Sequence, residues 1–213
     1  MKNKRLSLNL VIVSYAVFIL GWIVRVACVD LSGLSEYAAW GIGFLIHFVW
    51  WFLFACFMIG KYNRELVIPW KEMITTKPKK EILLPLLLFA LAYNAIVFFF
   101  QGTGFHIEMK LYDLIITVLT VGIFEEGVFR GWFLNAIAGF TSKRRANLIS
   151  SAMFVFVHYP SWIFHGNDIS TIISVSIPMY GLSLIFGWAF RKSRSIWTGV
   201  IFHSFWDLLS FIM

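Results

Sequence analysis

Charge is what this chain has least of. Asp, Glu, Lys and Arg make up 14% of its 213 residues, where a soluble domain carries about 25%. Aliphatic and aromatic residues fill 60% of the positions, which excludes an ordinary soluble domain and points to a bilayer as the main solvent. Cysteine is nearly absent. Cys28 and Cys56 both lie in apolar segments, with no spacing for a disulfide framework or a metal knot. Internal repeats, low-complexity tracts and flexible linkers are missing, so residues 1–213 read as one membrane domain. No Ser or Cys stands in a recognisable nucleophile motif, and H-E-x-x-H is absent, which excludes an ordinary zincin. The N-terminus "MKNKRLSLNLVIVSYAVFILGWIV" starts like a signal peptide. Its apolar run is too long and lacks a clear small-residue cleavage site, so a retained first helix is expected.

The net charge of +7 raises the question of nucleic acid, and its distribution answers it. Lys2, Lys4 and Arg5 precede the first apolar segment. Lys61, Arg64, Lys71, Lys77, Lys79 and Lys80 follow the second. Lys143, Arg144 and Arg145 follow the fourth, and Arg191, Lys192 and Arg194 the sixth. Only Arg25, Lys110 and Arg130 fall outside those groups. The intervening loops "DLSGLSE", "GTGFHIEMKLYD" and "PSWIFHGND" hold Lys110 alone. This is the positive-inside pattern. The basic charge sets topology and excludes a nucleic-acid partner.

Apolar segments run at 8–28, 38–60, 82–101, 113–134, 146–162, 169–190 and 195–213, each near the roughly 20 residues of a spanning helix. The expected fold is all-α, a polytopic integral membrane protein with seven transmembrane helices. An eighth, shorter or re-entrant helix within "WFLNAIAGFTSKRRA" is the alternative count. The chain is expected in the cell membrane, with its N-terminus cytoplasmic and its C-terminus external. Trp40, Trp70, Trp162 and Trp197 lie near segment ends, as interfacial aromatics do, and Pro178 is expected to kink the sixth helix.

Several intramembrane polar residues have ordinary readings. Arg25 lies near the outer end of its helix, where it can snorkel or pair with Asp30. His47, Asn94 and Gln101 read as helix-packing hydrogen bonds. His106 and His165 fall in external loops.

Three constellations remain. In "GIFEEGVFRGW", Glu126 and Arg130 are four apart and share a helix face, while Glu125 points about 100° away and is free to face a cavity. His158 stands in "FVFVHYP", one turn after Phe154. In "HSFWD", His203 and Asp207 are again four apart. Charges inside a bilayer cost several kcal/mol and are functional by default. With a rise of about 1.5 Å per residue, Glu125 and His203 lie about 12 Å, and His158 and Asp207 about 18 Å, from the cytoplasmic boundary. Residues from three helices thus fall in one layer.

Hydrolysis is the chemistry such a set supports. A desolvated carboxylate can take a proton from water, and an imidazole can share or relay it. A second imidazole and a polar partner can donate to the oxyanion of a peptide carbonyl. Arg130 would orient the carboxylates. Direct attack by water is preferred over an acyl-enzyme.

The order E-E-x-x-x-R, F-x-x-x-H, H-x-x-x-D/N, present as "EEGVFR", "FVFVH" and "HSFWD", resembles the CPBP family of intramembrane peptidases. That family includes the type II CAAX prenyl endopeptidases and the bacterial Abi proteins linked to bacteriocin immunity. The resemblance covers about residues 110–210. It implies that Glu125 and His158 activate the water, that His203 and Asp207 form the oxyanion site, and that Glu126 with Arg130 supports them. Asp at 207, unlike Asn, donates no amide hydrogen bond. Oxyanion donation then requires its protonation or passes to His203; alternatively Asp207 orients His203 or binds metal. A zinc ion taking ligands from Glu125, His158, His203 and Asp207 is geometrically compatible. The metal-free version is preferred, because Arg130 already supplies a fixed cation one turn from Glu126.

The expected function is therefore an intramembrane endopeptidase acting on a membrane-associated or lipidated peptide, or on a small membrane protein. Its rivals are a non-catalytic immunity or scaffold protein of the same fold and a small transporter with a carboxylate proton relay. The complete motif set counts against the first. The lack of internal symmetry counts against the second.

Overall fold

A computed structural model describes residues 6–30, 33–101, 110 and 112–213. His106 lies outside the described residues, as do the side chains of Asp30 and Gln101. Helix α1 is Leu8–Val29 and α2 is Tyr37–Lys61. Short α3, Trp70–Thr75, precedes α4, Lys80–Gln101. Residues 113–137 form one continuous helix, α5, in which α-helical turns alternate with wider i→i+5 turns. Then come α6, Lys143–Phe156, α7, Tyr159–Phe164, α8, Ile169–Ser193, and α9, Ile196–Ile212. Among the described residues there is no strand.

Four of these helices are long and apolar enough to cross a membrane: α1, α2, α8 and the Lys80–Phe100 stretch of α4. Helix α5 has the length, but Asp113, Glu125, Glu126 and Arg130 interrupt its apolar surface. The expected segment 146–162 is two helices. Pro160 has no N–H for the i−4 bond and its ring crowds the carbonyl of Phe156, so α6 stops there and α7 restarts after a turn at Val157–His158. His158 therefore sits at a helix break. The connection after α5 holds no helix of its own. It is a turn over residues 138–142, closed by Ser142, whose hydroxyl accepts from the backbone N–H of Arg145 and caps α6.

The bundle is built around α5. From Val128 to Ile137 every residue is buried, so this half of α5 has no solvent or lipid face, the mark of a core helix. Phe129, Trp132 and Phe133 pack with Phe18 of α1 and Trp51 of α2. A smaller cluster of Leu86, Ala90, Phe186, Ala189, Phe202 and Leu209 joins α4, α8 and α9. Lipid tails are as apolar as these side chains, so hydrophobicity alone does not join the helices, and polar contacts between them matter. Trp50 donates its indole N–H to the Phe18 carbonyl at 3.0 Å. Asn135 both donates to Ile68 O (2.7 Å) and accepts from Ile68 N (2.8 Å), tying the loop before α3 to α5. Asn147 of α6 donates to Leu184 O of α8 at 2.9 Å, across Gly187, where any Cβ would collide with the Asn147 carboxamide.

His47 departs from expectation. Its Nε2 is buried with no hydrogen-bond partner, and its ring packs between Trp22 and Trp51 at 4.9 and 4.8 Å. Asn94 does hydrogen bond, but within its own helix, to Ala90 O at 2.9 Å.

At one end of the bundle α3 is stapled to the α8–α9 corner. Arg194, the one non-glycine residue with positive φ (58°) among those described, ends α8 in a left-handed conformation. Its guanidinium forks onto Glu72 through both Nε and Nη2. The hydrogen bond from Arg194 holds the Glu72 carboxyl below its usual pKa. Trp197 donates to Ile74 O at 2.7 Å, and Ser195 to Thr76 O. Exposed pairs of this kind contribute at most about 1 kcal/mol, but together they fix where α9 starts, and α9 carries two of the expected site residues.

Candidate active site

Glu125 and Glu126 lie on α5 where it becomes fully enclosed, at 7% and 0% exposure. Successive residues of a helix point about 100° apart, and here the two carboxylates take different surroundings. Glu126 turns to Arg130, whose Nη1 is 3.1 Å from its Oε1. Glu125 turns to two imidazoles. Its Oε1 is 3.9 Å from His158 Nε2 and its Oε2 is 3.6 Å from His203 Nε2.

Each imidazole has its tautomer set by its other nitrogen. A carbonyl can only accept, so the 2.8 Å contact of His158 Nδ1 with Phe154 O makes Nδ1 the donor. A neutral His158 then presents a bare Nε2 toward Glu125. The helix break supplies that geometry: the turn after α6 folds the ring back on the residue four before it. Trp162 of α7 stacks on the same ring, at 5.7 Å and 28°, so this tryptophan, expected as an interfacial anchor, covers a site residue. His203 Nδ1 lies 3.4 Å from Glu126 Oε1. Beside the Arg130 guanidinium Glu126 Oε1 serves as the acceptor, and Nδ1–H of His203 donates to it. His203 Nε2 then faces Glu125 on one side and Asp207 Oδ2, at 3.8 Å, on the other.

Arg130 is 1% exposed. Its guanidinium lies between the rings of Phe154 and Phe186, 4.7 and 4.9 Å from their centroids. Nη2 donates to Ser183 Oγ at 2.9 Å and Ser183 O at 3.2 Å. Phe186 also packs on His203, at 4.8 Å. Two glycines let α5 and α9 approach. A Cβ on Gly122 would stand 3.3 Å from His203 Cβ, and one on Gly199 would overlap the Glu126 carboxylate.

The structure thus brings together Glu125, Glu126, Arg130, His158, His203 and Asp207, drawn from α5, the α6–α7 break and α9. It adds Ser183, Phe186, Trp162 and Gly199. Nothing in a single sequence distinguishes Ser183 in "YGLSLIFGW" from any other helix serine. The F-x-x-x-H spacing did carry information, since Phe154 contributes both the carbonyl under His158 and the ring over Arg130.

A zinc ion needs its donors about 2.0–2.2 Å from one point. The carboxylate–imidazole separations here are 3.6, 3.8 and 3.9 Å, two of them sharing His203 Nε2. Among the described residues no group of three or more His, Cys, Asp or Glu side chains converges to hold a metal. Pairs of donors on a tetrahedral zinc stand about 3.4 Å apart, so the pairwise separations are near those an ion would set, and what no described set supplies is a third donor converging on the same point.

The more open side of the site is marked by His158 and Asp207, whose side chains are 22% and 19% exposed. Beside Asp207, Trp206 and Ser210 line a cavity of about 600 Å³ between α4, α8 and α9, with Tyr93, Asn94 and Met179 opposite.

Residues 107–209 match the family model described as Type II CAAX prenyl endopeptidase Rce1-like, a match consistent with the CPBP family. The matched stretch contains all six site residues and leaves α1, α2, α3 and α4 outside. No curated protein and no solved structure matches the chain.

Proposed function

We propose, from the Rce1-like match over residues 107–209, that this protein is an intramembrane endopeptidase in which the chain's own residues activate a water molecule. The supporting observation is Glu125, a buried carboxylate flanked by the Nε2 atoms of two imidazoles whose Nδ1 atoms are already committed. A water between Glu125 and His158 meets two acceptors, Oε1 and the bare Nε2. Both draw on its protons and sharpen the oxygen as a nucleophile. As the oxygen attacks a peptide carbonyl, Glu125 takes the proton and later delivers it to the leaving amine. The oxyanion falls to His203, whose Nε2–H donates when the ring is protonated. Asp207, 3.8 Å from that nitrogen, supports the imidazolium and turns it inward. The donor role that Asp cannot fill thus passes to His203.

The substrate class we propose is a membrane-associated or lipidated peptide, or a small membrane protein, reaching the site from the bilayer on the His158–Asp207 side. Helix α5, α9 and the α6–α7 pair complete seven membrane segments with the four longer helices, and α3 rests at the cytoplasmic surface. The N-terminus is cytoplasmic and the C-terminus external, following the basic loops.

Comparative peptidomics of membranes containing wild type or Glu125→Ala tests the function. Peptides ending at new cut sites are expected in wild type alone, and they persist when the membranes are treated with a permeable chelator. Identical peptide sets would sink the peptidase reading. Cutting lost on chelation and restored by zinc alone would overturn its metal-free form. The topology is tested by single cysteines in a background lacking Cys28 and Cys56. Lys77→Cys should be shielded from an impermeant maleimide in intact cells and Asn167→Cys labelled. The reverse pattern would invert the orientation.

A further inference from the structure

We infer that Ser183 on α8 and Gly199 on α9 are positioning residues of this site. They hold the Arg130–Glu126 pair in the one arrangement that turns His203 Nε2 toward Glu125. The inference rests on the hydrolase reading above for its catalytic consequence, but not for its geometry.

The argument starts from Arg130. A buried guanidinium needs acceptors for its fork of N–H donors. Its Nη2 donates to both oxygens of Ser183, within 3.2 Å, while Nη1 stands 3.1 Å from Glu126 Oε1 as an ion pair without hydrogen-bond geometry. The rings of Phe154 and Phe186 restrict the plane of the group, but they do not stop it sliding within that plane. Ser183 does. Without its hydroxyl, Nη2 keeps only the longer bond to the Ser183 carbonyl, at 3.2 Å, and the cation is freer to move toward the second carboxylate, Glu125, five residues away on the same helix. Paired with Arg130, Glu125 would be a poorer base. Ser183 therefore anchors the cation to α8 and leaves Glu125 to the imidazoles.

Gly199 acts on Glu126. Gly199 and His203 are four apart and share one face of α9. Oε1 of the Glu126 carboxylate lies 3.4 Å from His203 Nδ1, while Oε2 lies where a side chain at 199 would begin. That second oxygen is buried with no hydrogen-bond partner, so packing against the bare α-carbon of Gly199 is what seats it. A methyl group there must push the carboxylate off His203. The imidazole then loses the acceptor that commits Nδ1 as donor, and its Nε2 is no longer directed at Glu125.

Two readouts separate positioning from simple support of the fold. Protein labelled with 15N-histidine reports the His203 tautomer directly, with His203→Gln to assign the signal. Turnover is followed on a fluorogenic farnesylated peptide with a CAAX-type C-terminus. Ser183→Ala should lower kcat about tenfold and Gly199→Ala about a hundredfold, the scale of a 1 Å misplacement, with KM changed less than about twofold. Ser183→Thr, which restores the hydroxyl, should recover most of the loss. Both impaired variants should shift the His203 ring signals. In a Glu126→Ala background Gly199→Ala should add nothing, because the clash partner is gone. Should Gly199→Ala alone fail to fold while Glu126→Ala folds, recovery of the fold in the double variant supports the inference and continued failure overturns it; should Glu126→Ala not fold either, the His203 signals of Ser183→Ala decide. If wild type does not cleave the peptide, the hydrolase reading fails on this probe and the His203 spectra alone decide the positioning. Folded Ser183→Ala and Gly199→Ala proteins with wild-type His203 signals would overturn it.

Discussion

Purified Glu125→Gln protein is expected to fold and insert like wild type and to turn over substrate at least about 10²–10⁴ times more slowly, the range a general base contributes. Among the site carboxylates, Glu125 alone reaches the Nε2 atoms of both imidazoles. An amide keeps its size and one acceptor oxygen, but cannot take a proton from water at neutral pH. Its NH2 group would instead donate to the bare Nε2 of His158 and occupy the second acceptor as well. The effect should lie in kcat with KM nearly unchanged, since the loss is felt where the proton moves. Steady-state kinetics beside a thermal melt in the same detergent decides it. Near-normal turnover would remove Glu125 from the chemistry and leave the network as structural.

The second large effect is on stability. Arg130→Ala is expected to destabilise the protein by about 3–5 kcal/mol, the cost of leaving a buried ion pair half-made. Glu126 is fully buried, with its Oε1 3.1 Å from the guanidinium and 3.4 Å from His203 Nδ1. The deletion also opens a void between Phe154 and Phe186, which now face the cation from both sides. Activity should fall with stability, because Glu126 would no longer hold His203. Arg130→Lys should recover only part of either. A single ammonium on a flexible stem cannot reach Glu126 and the two oxygens of Ser183 as a planar fork does. Thermal unfolding of the three proteins is the measurement. If Arg130→Ala melts and cleaves like wild type, the pairing is not what keeps the carboxylates inside the bundle.

The site was legible in the sequence where spacing alone determines a neighbour. Glu126 with Arg130, and His203 with Asp207, are pairs four apart, and helical geometry puts each on one face whatever surrounds it. The scarcity of charge made the remaining charges conspicuous. Their shared depth, counted from basic loops, placed three helices' worth of polar residues in one layer. Spacing was misleading where proline intervened. The apolar run 146–162 has the length of a spanning helix, but Pro160 breaks it after Phe156, and the break orients His158. His47 shows the opposite limit. Its sequence neighbourhood called for a hydrogen bond, while the fold surrounded it with Trp22 from the adjacent helix and Trp51 from its own.

The sequence by itself determined that the chain is helical and apolar enough for a membrane, in which stretches its basic residues gather, and which six ionisable residues stand in apolar surroundings. These follow from transfer energies and helical period, both local properties of the chain. The tertiary structure alone decided which carboxylate faces the imidazoles, that His203 commits Nδ1 to Glu126, and that Ser183 and Gly199 bear on the Arg130–Glu126 pair. Those outcomes depend on contacts between helices 53 and 77 residues apart in the chain. A helical period specifies the face a residue occupies; only the packing of one helix on another specifies what that face meets.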